Sequence, residues 1–465
     1  MRNKLLIGVL MCSFILPFAM AQEPSAPSSF GFGFELGLGT ETLPIDPTAP
    51  VDPTAPADVT NQATYQKLAL KPDISFGKIG IGLDVTLHFN IKPGQNGSNI
   101  EIYEPDWIPA KAGKTFFELY LPKIAYVRYG QKGENLFVKL GSFDDGTLGN
   151  GFIMGNYSNT RFLPETRIFG AALDIDGQLF DFPFVGIETF AGNLANFDVF
   201  GSRLYVRPLA GTEMPLLKNL QVGATVAADT DPLRYARSSV GNADTVTIAG
   251  LDTKLPVLNT PVVSMAVFGD LAFEPRGRWG TMAGLGGKLV NIVLYGAQLR
   301  VLGSDFIPTY FDGSYDLFRH LKYQALQQEA SGSVYAGWLA NLGFSLLSDA
   351  IVFQASLDGP FAAAPSTGAT ITDYPHLRGV LTLAEGLLAG FSFDALYEKY
   401  YLGAPSPIGT GNFWKDLVSP ENAVIGAKIN YKTGPAVLSL LYNLRYDPAT
   451  GDYVVTSSLM TSIQF

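Results

Sequence analysis

Cysteine is nearly absent, with one in 465 residues. That residue is Cys12, close to the N-terminus, so the body of the chain has no disulfides and a disulfide-built secreted scaffold is excluded. Charge is also scarce. Charged residues make up 16%, where a globular surface usually carries about 25%, so much of the outside need not face water. No basic stripe is present and the net charge is −10, which argues against a nucleic-acid partner. Beyond the N-terminus no run approaches the roughly 20 apolar residues of a spanning helix.

Histidine is rare as well. His88, His320 and His376 are too dispersed for a metal-site spacing. No G-x-S-x-G elbow occurs, and Asp144-Asp145-Gly146 opens like a calcium loop but lacks the acidic ligands that should follow. Asp84 and His88 share a strand face two steps apart, as a catalytic dyad would, but a structural pair inside the fold is the plainer reading. The expectation is a protein that is not an enzyme and holds no cofactor and no metal. What the chain does have is 50 glycines, 32 Phe, 21 Tyr and 47% hydrophobic residues. Disorder is excluded by the same numbers.

The N-terminus reads as an export signal. Arg2 and Lys4 precede an apolar core from Leu5 to Phe18, and Ala19-Met20-Ala21 supplies small residues for cleavage before Gln22. A lipoprotein reading at Cys12 fails because Met11 before it is not small. Residues 1–21 are therefore expected to be a signal peptide, and 22–465 a single domain.

The body alternates with period two. From Ile79 to Ile91 every odd position is bulky and apolar, while the even ones are Gly80, Gly82, Asp84, Thr86, His88 and Asn90. This puts the apolar residues on one face of a strand longer than the roughly 5 or 6 residues usual in soluble sheets. The pattern recurs in Val263–Glu274, Val293–Val301, Ile351–Asp358, Phe391–Glu398, Ala423–Asn430 and Ala436–Arg445. Thr115–Tyr129 is expected to be a poorer strand, interrupted by Pro122 and Lys123.

Connection lengths alternate too. The long ones are Leu43–Gln62, Lys92–Lys114, Asp144–Glu165, Asp229–Asp244, Ser304–Gly332, Gly359–Asp373 and Gly403–Pro420. The short ones between them include Gly77-Lys78, Lys132-Gly133-Glu134, Asn259-Thr260-Pro261 and Lys432-Thr433-Gly434. Long loops at one end and short turns at the other are the pattern of a transmembrane barrel. The fold class expected is all-β, an antiparallel up-and-down transmembrane β-barrel of about 20 strands, within roughly 16 to 20, with short periplasmic turns and long extracellular loops.

The last strand carries a resemblance. Tyr453, Val455, Ser457, Leu459, Thr461, Ile463 and Phe465 fall on one face. An alternating strand closed by a terminal Phe resembles the sorting signal of bacterial outer-membrane β-barrels, porin-like proteins among them. Met460 and Ile463 depart from that pattern, which often has Gly and an aromatic there. The resemblance implies a multi-pass barrel in the outer-membrane lipid, with Phe465 and Ile463 recognised by the barrel-assembly machinery. It leaves a monomer and a porin-like homotrimer both open.

In such a barrel the polar faces line the lumen. That assigns Asp174, Asp176, Arg203, Arg207, Arg300, Asp394, Glu398, Lys428 and Arg445 to a pore lining, and places Asp84, His88, Arg128, Lys139, Asp270, Glu274, Lys288, Asp358 and Arg378 inside with them. Arg203 and Arg207, with Tyr205 between them, are candidates for a basic ladder facing Asp174 and Asp176. The alternative is that these charges pair across the lumen. Within Ser304–Gly332, Leu317, Leu321 and Leu326 stand near helical spacing. A helix there would be either a constriction loop, bringing Asp316, Arg319, His320 and Lys322 into the lumen, or a surface cap. Asp144–Glu165 is the other loop of note, since Phe152, Ile153 and Met154 would be odd left in water. The repeat Ile45–Pro50 then Val51–Pro56 is too rich in proline to join a sheet and is expected to be an exposed loop.

The functional expectation is a porin-like channel for passive diffusion of small solutes. One alternative is a carrier of hydrophobic compounds resembling the long-chain fatty-acid transporters. The mean hydropathy of +0.17 favours it, but that family's Asn-Pro-Ala hatch motif is not found. The other alternative is a surface adhesin or structural barrel acting through its loops.

Overall fold

The computed structural model describes residues 30–48, 61–94, 97–163, 166–235, 243–260, 262–303, 305–328, 333–362, 371–447 and 452–464. The expected signal peptide, most of the Pro-rich repeat and Phe465 lie outside the described residues.

The described strands form one antiparallel sheet that closes on itself. Pairing runs in chain order, from Phe30–Pro44 with Gln62–Phe76 to Ala436–Asp447 with Asp452–Gln464. The last strand then bonds to the first, with Leu38 opposite Thr461 and Gly37 opposite Ser462. Two wall strands come in halves. Ile79–Leu83 and Val85–Gly94 continue one another, and both pair with Gln62–Phe76. On their other side, Gly97–Ile102 pairs with the second half and Ile124–Tyr129 with the first. Counted round the wall, the barrel has 20 strands, the number expected from the alternation.

Each strand turns its apolar residues outward. Leu299, Leu342 and Leu459 are 66%, 59% and 57% exposed, whereas inward Arg300 on the same strand as Leu299 is 4% exposed. Because the side-chain period is two, a one-residue slip would exchange these faces along the whole strand, and so the pattern pins the register.

The broken strand departs from expectation. Thr115–Tyr129 is not one strand. Thr115 and Glu118 form a capping box that starts the helix Phe116–Tyr120, a 3-10 turn follows at Leu121–Lys123, and the strand begins only at Ile124. The capping residues and Pro122 outweigh the apolar run between them. The long connection Lys92–Lys114 is in part strand, since its start forms a hairpin between Val85–Gly94 and Gly97–Ile102. Where the chain leaves the wall, other groups take over the ladder. The His88 N–H donates to the Asp106 carboxylate at 3.1 Å. Tyr103 donates its N–H to the His88 carbonyl at 2.9 Å, and Asp84 to that of Lys123 at 2.8 Å. Strict alternation of connection length also has exceptions. Residues 207–220 are long at the short-turn end, and only Pro275–Gly277 joins two strands at the long-loop end.

The long loops do not stay outside. Phe152, Met154 and Tyr157 of one loop and Phe306, Tyr310, Phe311 and Tyr315 of another pack against inward-facing Ala227, Ile248, Ala272 and Met282 of the wall. The two loops bond to each other, with Phe311 donating to the Ile153 carbonyl and Gly155 to that of Phe311, both at 3.1 Å. The wall makes room for them with glycine. A Cβ on Gly280 would lie 2.5 Å from the Phe306 ring, and one on Gly201 would lie 2.8 Å from Leu148. Burying Phe152, Ile153 and Met154 inside the barrel accounts for apolar residues that looked out of place in a loop.

Closure has a direct test. Leu38 and Thr461 face each other across the seam, and antiparallel partners sit about 4.5–5.5 Å apart at Cα, within disulfide range. A Leu38→Cys, Thr461→Cys chain with Cys12→Ser should cross-link its first and last strands on oxidation. The product should show a reduction-sensitive mobility shift after denaturation, and an open sheet would give none.

Candidate functional site

The inward charges are paired, and the pairing follows strand register. Arg203 is 1% exposed. It makes two parallel bonds to Asp252, Nε to Oδ2 at 2.8 Å and Nη2 to Oδ1 at 2.6 Å, and a third to Glu188 at 2.9 Å. Arg207 donates to both Asp176 oxygens, one at 3.0 Å. The Tyr205 hydroxyl donates to the same carboxylate at 2.8 Å, and its ring lies between the two guanidiniums, 4.8 Å from Arg203 and 5.1 Å from Arg207. The anticipated ladder facing Asp174 and Asp176 is therefore only half formed. Asp176 takes Arg207, but Arg203 turns to Glu188 and Asp252, and Asp174 stands cross-strand from Glu188. Nor do Asp84 and His88 form a dyad. Asp84 binds Arg167 at 2.5 Å, while His88 lies between Asp106 and Glu41 at 2.9 and 3.3 Å.

The helix expected in the long loop spans Tyr315–Gln327 and lies inside the barrel. Its polar residues hold it there. Arg319 binds Asp229 through Nε at 3.0 Å and Nη2 at 2.5 Å, and Asp198 at 3.0 Å, while Asp316 on its own helix is 3.8 Å away. The Tyr315 hydroxyl also donates to Asp229, at 2.6 Å, and Tyr157 donates to Asp316 at 2.9 Å. Lys322 reaches Asp312 at 2.6 Å and the Tyr310 carbonyl at 2.7 Å. His320 is half-buried. On the opposite side Phe318 packs with Leu396, Tyr400 and Val424. The helix thus touches both walls.

Two cavities border the start of this helix. The larger, about 210 Å³, is lined by Arg300, Asp312, Asp358, His376, Arg378 and Glu398 among others. The smaller, about 90 Å³, has Asp394, Lys428, Arg445, Phe162 and Leu317 in its wall. Arg445 lies over the Phe162 ring at 5.3 Å, and Asp394 is directly cross-strand from Lys428. In the larger cavity Arg300 donates to Asp358 at 3.0 Å. His376 places Nδ1 3.1 Å from Asp358 and Nε2 3.0 Å from Glu398, and it stacks on Tyr400 at 4.4 Å.

Ser314 donates to Glu398 and not to His376. Both imidazole nitrogens already face carboxylate acceptors, so neither offers a lone pair to take a proton from the serine. These residues do not make a nucleophile–base pair. Among the described residues no group of three or more His, Cys, Asp or Glu side chains is arranged to hold a metal.

Of the residues singled out from sequence, the structure brings Arg300 and Glu398 to the larger cavity and Asp394, Lys428 and Arg445 to the smaller one. Arg203, Arg207, Asp174 and Asp176 lie on the opposite wall. Asp198, Asp229, Asp252 and Glu188 were missed. The last three were legible only as polar positions on alternating strands, and their roles depend on which loop folds against them.

Burial pushes the Asp316 carboxyl up to about 7, with Asp198 and Asp229 adding to the effect and Arg319 and the Tyr157 hydroxyl opposing it. A carboxyl raised in the packed state binds its proton more tightly there than in solution. Packing of the helix is therefore favoured below the ordinary aspartate value of 3.8 and weakens as pH rises from there to about 7. Hydrogen exchange of residues 315–327 should accelerate across that window, and Asp316→Asn should flatten the dependence. Arg319→Ala leaves Asp229 and Asp198 buried without their guanidinium and should destabilise the packed helix by about 3–5 kcal/mol, measured as loss of exchange protection confined to that segment.

No protein-family model and no curated sequence matches the chain. Among solved structures it is similar to Pseudomonas aeruginosa OpdL, at 9% identity over 94% of this chain and 98% of that one, with a TM-score of 0.31. Similar too are P. aeruginosa OpdK with vanillate (9%, 94% and 98%, TM-score 0.33) and OccK2 (OpdF) in complex with glucuronate (9%, 94% and 96%, TM-score 0.31). These overlaps are loose, and the closed barrel rests on its own strand pairing.

Proposed function

We propose that the chain is an outer-membrane channel for passive diffusion of small polar solutes. The observation that carries this is the sidedness of the sheet. Outward positions form a continuous apolar surface, while inward positions hold paired charges and polar cavities. A closed sheet leaves no unpaired edge to lipid, which is the condition for crossing a bilayer with strands. Loops folded into the lumen narrow it and supply the contacts that select a solute.

Residues 1–21 direct export on this reading, and Ile463 and Phe465 are the residues the barrel-assembly machinery recognises. The pore-lining roles of Arg300, Glu398, Asp394, Lys428 and Arg445 belong to the same proposal, which holds for a monomer and for a homotrimer alike. A carrier of hydrophobic compounds finds less support, because the larger cavity is rimmed by charge.

Single-channel conductance of the chain from Gln22 to Phe465, refolded into a planar bilayer, tests the proposal. Steady current steps that scale with salt are expected. Replacing residues 304–332 with a short Gly/Ser turn should raise the step size. A folded, heat-modifiable barrel that passes no current would contradict it.

A further inference from the structure

The rim of the larger cavity has a charge order that passive diffusion alone does not require. Arg300 projects from Val293–Leu302, Asp358 from Ile351–Pro360, His376 and Arg378 from His376–Leu388, and Glu398 from Phe391–Lys399. Register sets Asp358 opposite His376 and Arg378 opposite Glu398. The signs alternate along the row, with the uncharged strand Tyr335–Leu346 between Arg300 and Asp358 and the other three strands side by side, about 4.8 Å apart. Each cation is already on an anion. Arg300 is 3.0 Å from Asp358, His376 bridges Asp358 and Glu398, and Arg378 is 3.9 Å from Glu398.

This order decides what the cavity can hold. A lone carboxylate that approaches Arg378 also meets Glu398. At comparable distances the attraction and the repulsion nearly cancel. A lone ammonium at Asp358 meets Arg300 and His376 in the same way. A solute bearing both signs a few ångströms apart gains at both ends. Towards the short turns the same cavity is lined by Phe268 and Leu294, which suits an apolar group attached to the charged end.

We propose that this cavity is a binding site for small zwitterions with an apolar side chain, of the amino-acid type, and that the lumen favours dipolar solutes over ions of either sign. The inference rests on the channel reading above. It extends that reading from small polar solutes to a stated charge pattern.

A matched trio tests it: leucine, 4-methylpentanoate, which lacks the ammonium, and 3-methylbutylammonium, which lacks the carboxylate. Each is added to the refolded wild-type barrel in a planar bilayer and its interruption of the ionic current is titrated. Leucine is expected to block at a concentration roughly tenfold lower than either singly charged relative, the loss of one charged hydrogen bond being worth about that factor. Asp358→Asn with Glu398→Gln, checked for folding by heat-modifiable mobility, should move the preference to 4-methylpentanoate. Block by 4-methylpentanoate as strong as that by leucine in the wild type, or no block by any of the three, overturns the inference and leaves the channel standing. If no current flows, the channel reading falls. Calorimetric titration of the same trio into the refolded barrel then decides the site separately, with leucine binding supporting it and equal or absent binding overturning it.

Discussion

Charge taken out of water must be met by opposite charge, and this lumen is built around that requirement. Loops packed inside the barrel cover side chains that an open pore would leave hydrated. Arg203, Arg319 and Glu398 are each 1% exposed or less. An uncompensated ion at such a depth costs several kcal/mol, and a bidentate carboxylate partner offsets much of that. The wall answers Arg203 with Asp252 and Glu188, and the loop helix answers Asp229 and Asp198 with Arg319. The ion pairs thereby fix which loop sits where. A helix shifted by one turn would leave Asp229 and Arg319 both buried and unmatched.

Apolar packing supplies the drive that pairing alone does not. The aromatic cluster of Tyr157, Phe306, Tyr310, Phe311 and Tyr315 joins two loops that are distant in sequence. Each fully buried large side chain contributes about 1.5–3 kcal/mol. The wall glycines opposite this cluster, such as Gly280, let the rings approach the sheet. Glycine abundance in this chain is thus tied to lumen filling as well as to turns. Apolar side chains serve two purposes in one molecule, facing outward along the wall and inward on the loops.

The wall was readable from the alternation alone. Inward and outward assignments from Ile79 to Ile91, or from Tyr453 to Ile463, need only a period of two. The helix at Tyr315–Gln327 was signalled by Leu317, Leu321 and Leu326, although the residues that anchor it are its polar ones. Phe152, Ile153 and Met154 signalled an infolded loop by being out of place. The partners of Arg203 were not readable, because Asp252 becomes its neighbour only once the intervening strand Gln221–Asp229 takes its register. The helix Phe116–Tyr120 was misread as strand, since Phe116 and Phe117 suit either state and the deciding signal was the Thr115–Glu118 box.

The central claim is that a 20-strand barrel, wide by its strand number, is made narrow by its own loops. Polymer exclusion measures this directly. Polyethylene glycols of increasing mass are added to both sides of a bilayer holding the refolded channel, and the mass at which they cease to lower the conductance gives the pore radius. The account predicts exclusion of all but the smallest polymers, and a marked rise in that cutoff when residues 304–332 are replaced by a short turn. Free entry of large polymers into the intact channel would contradict it.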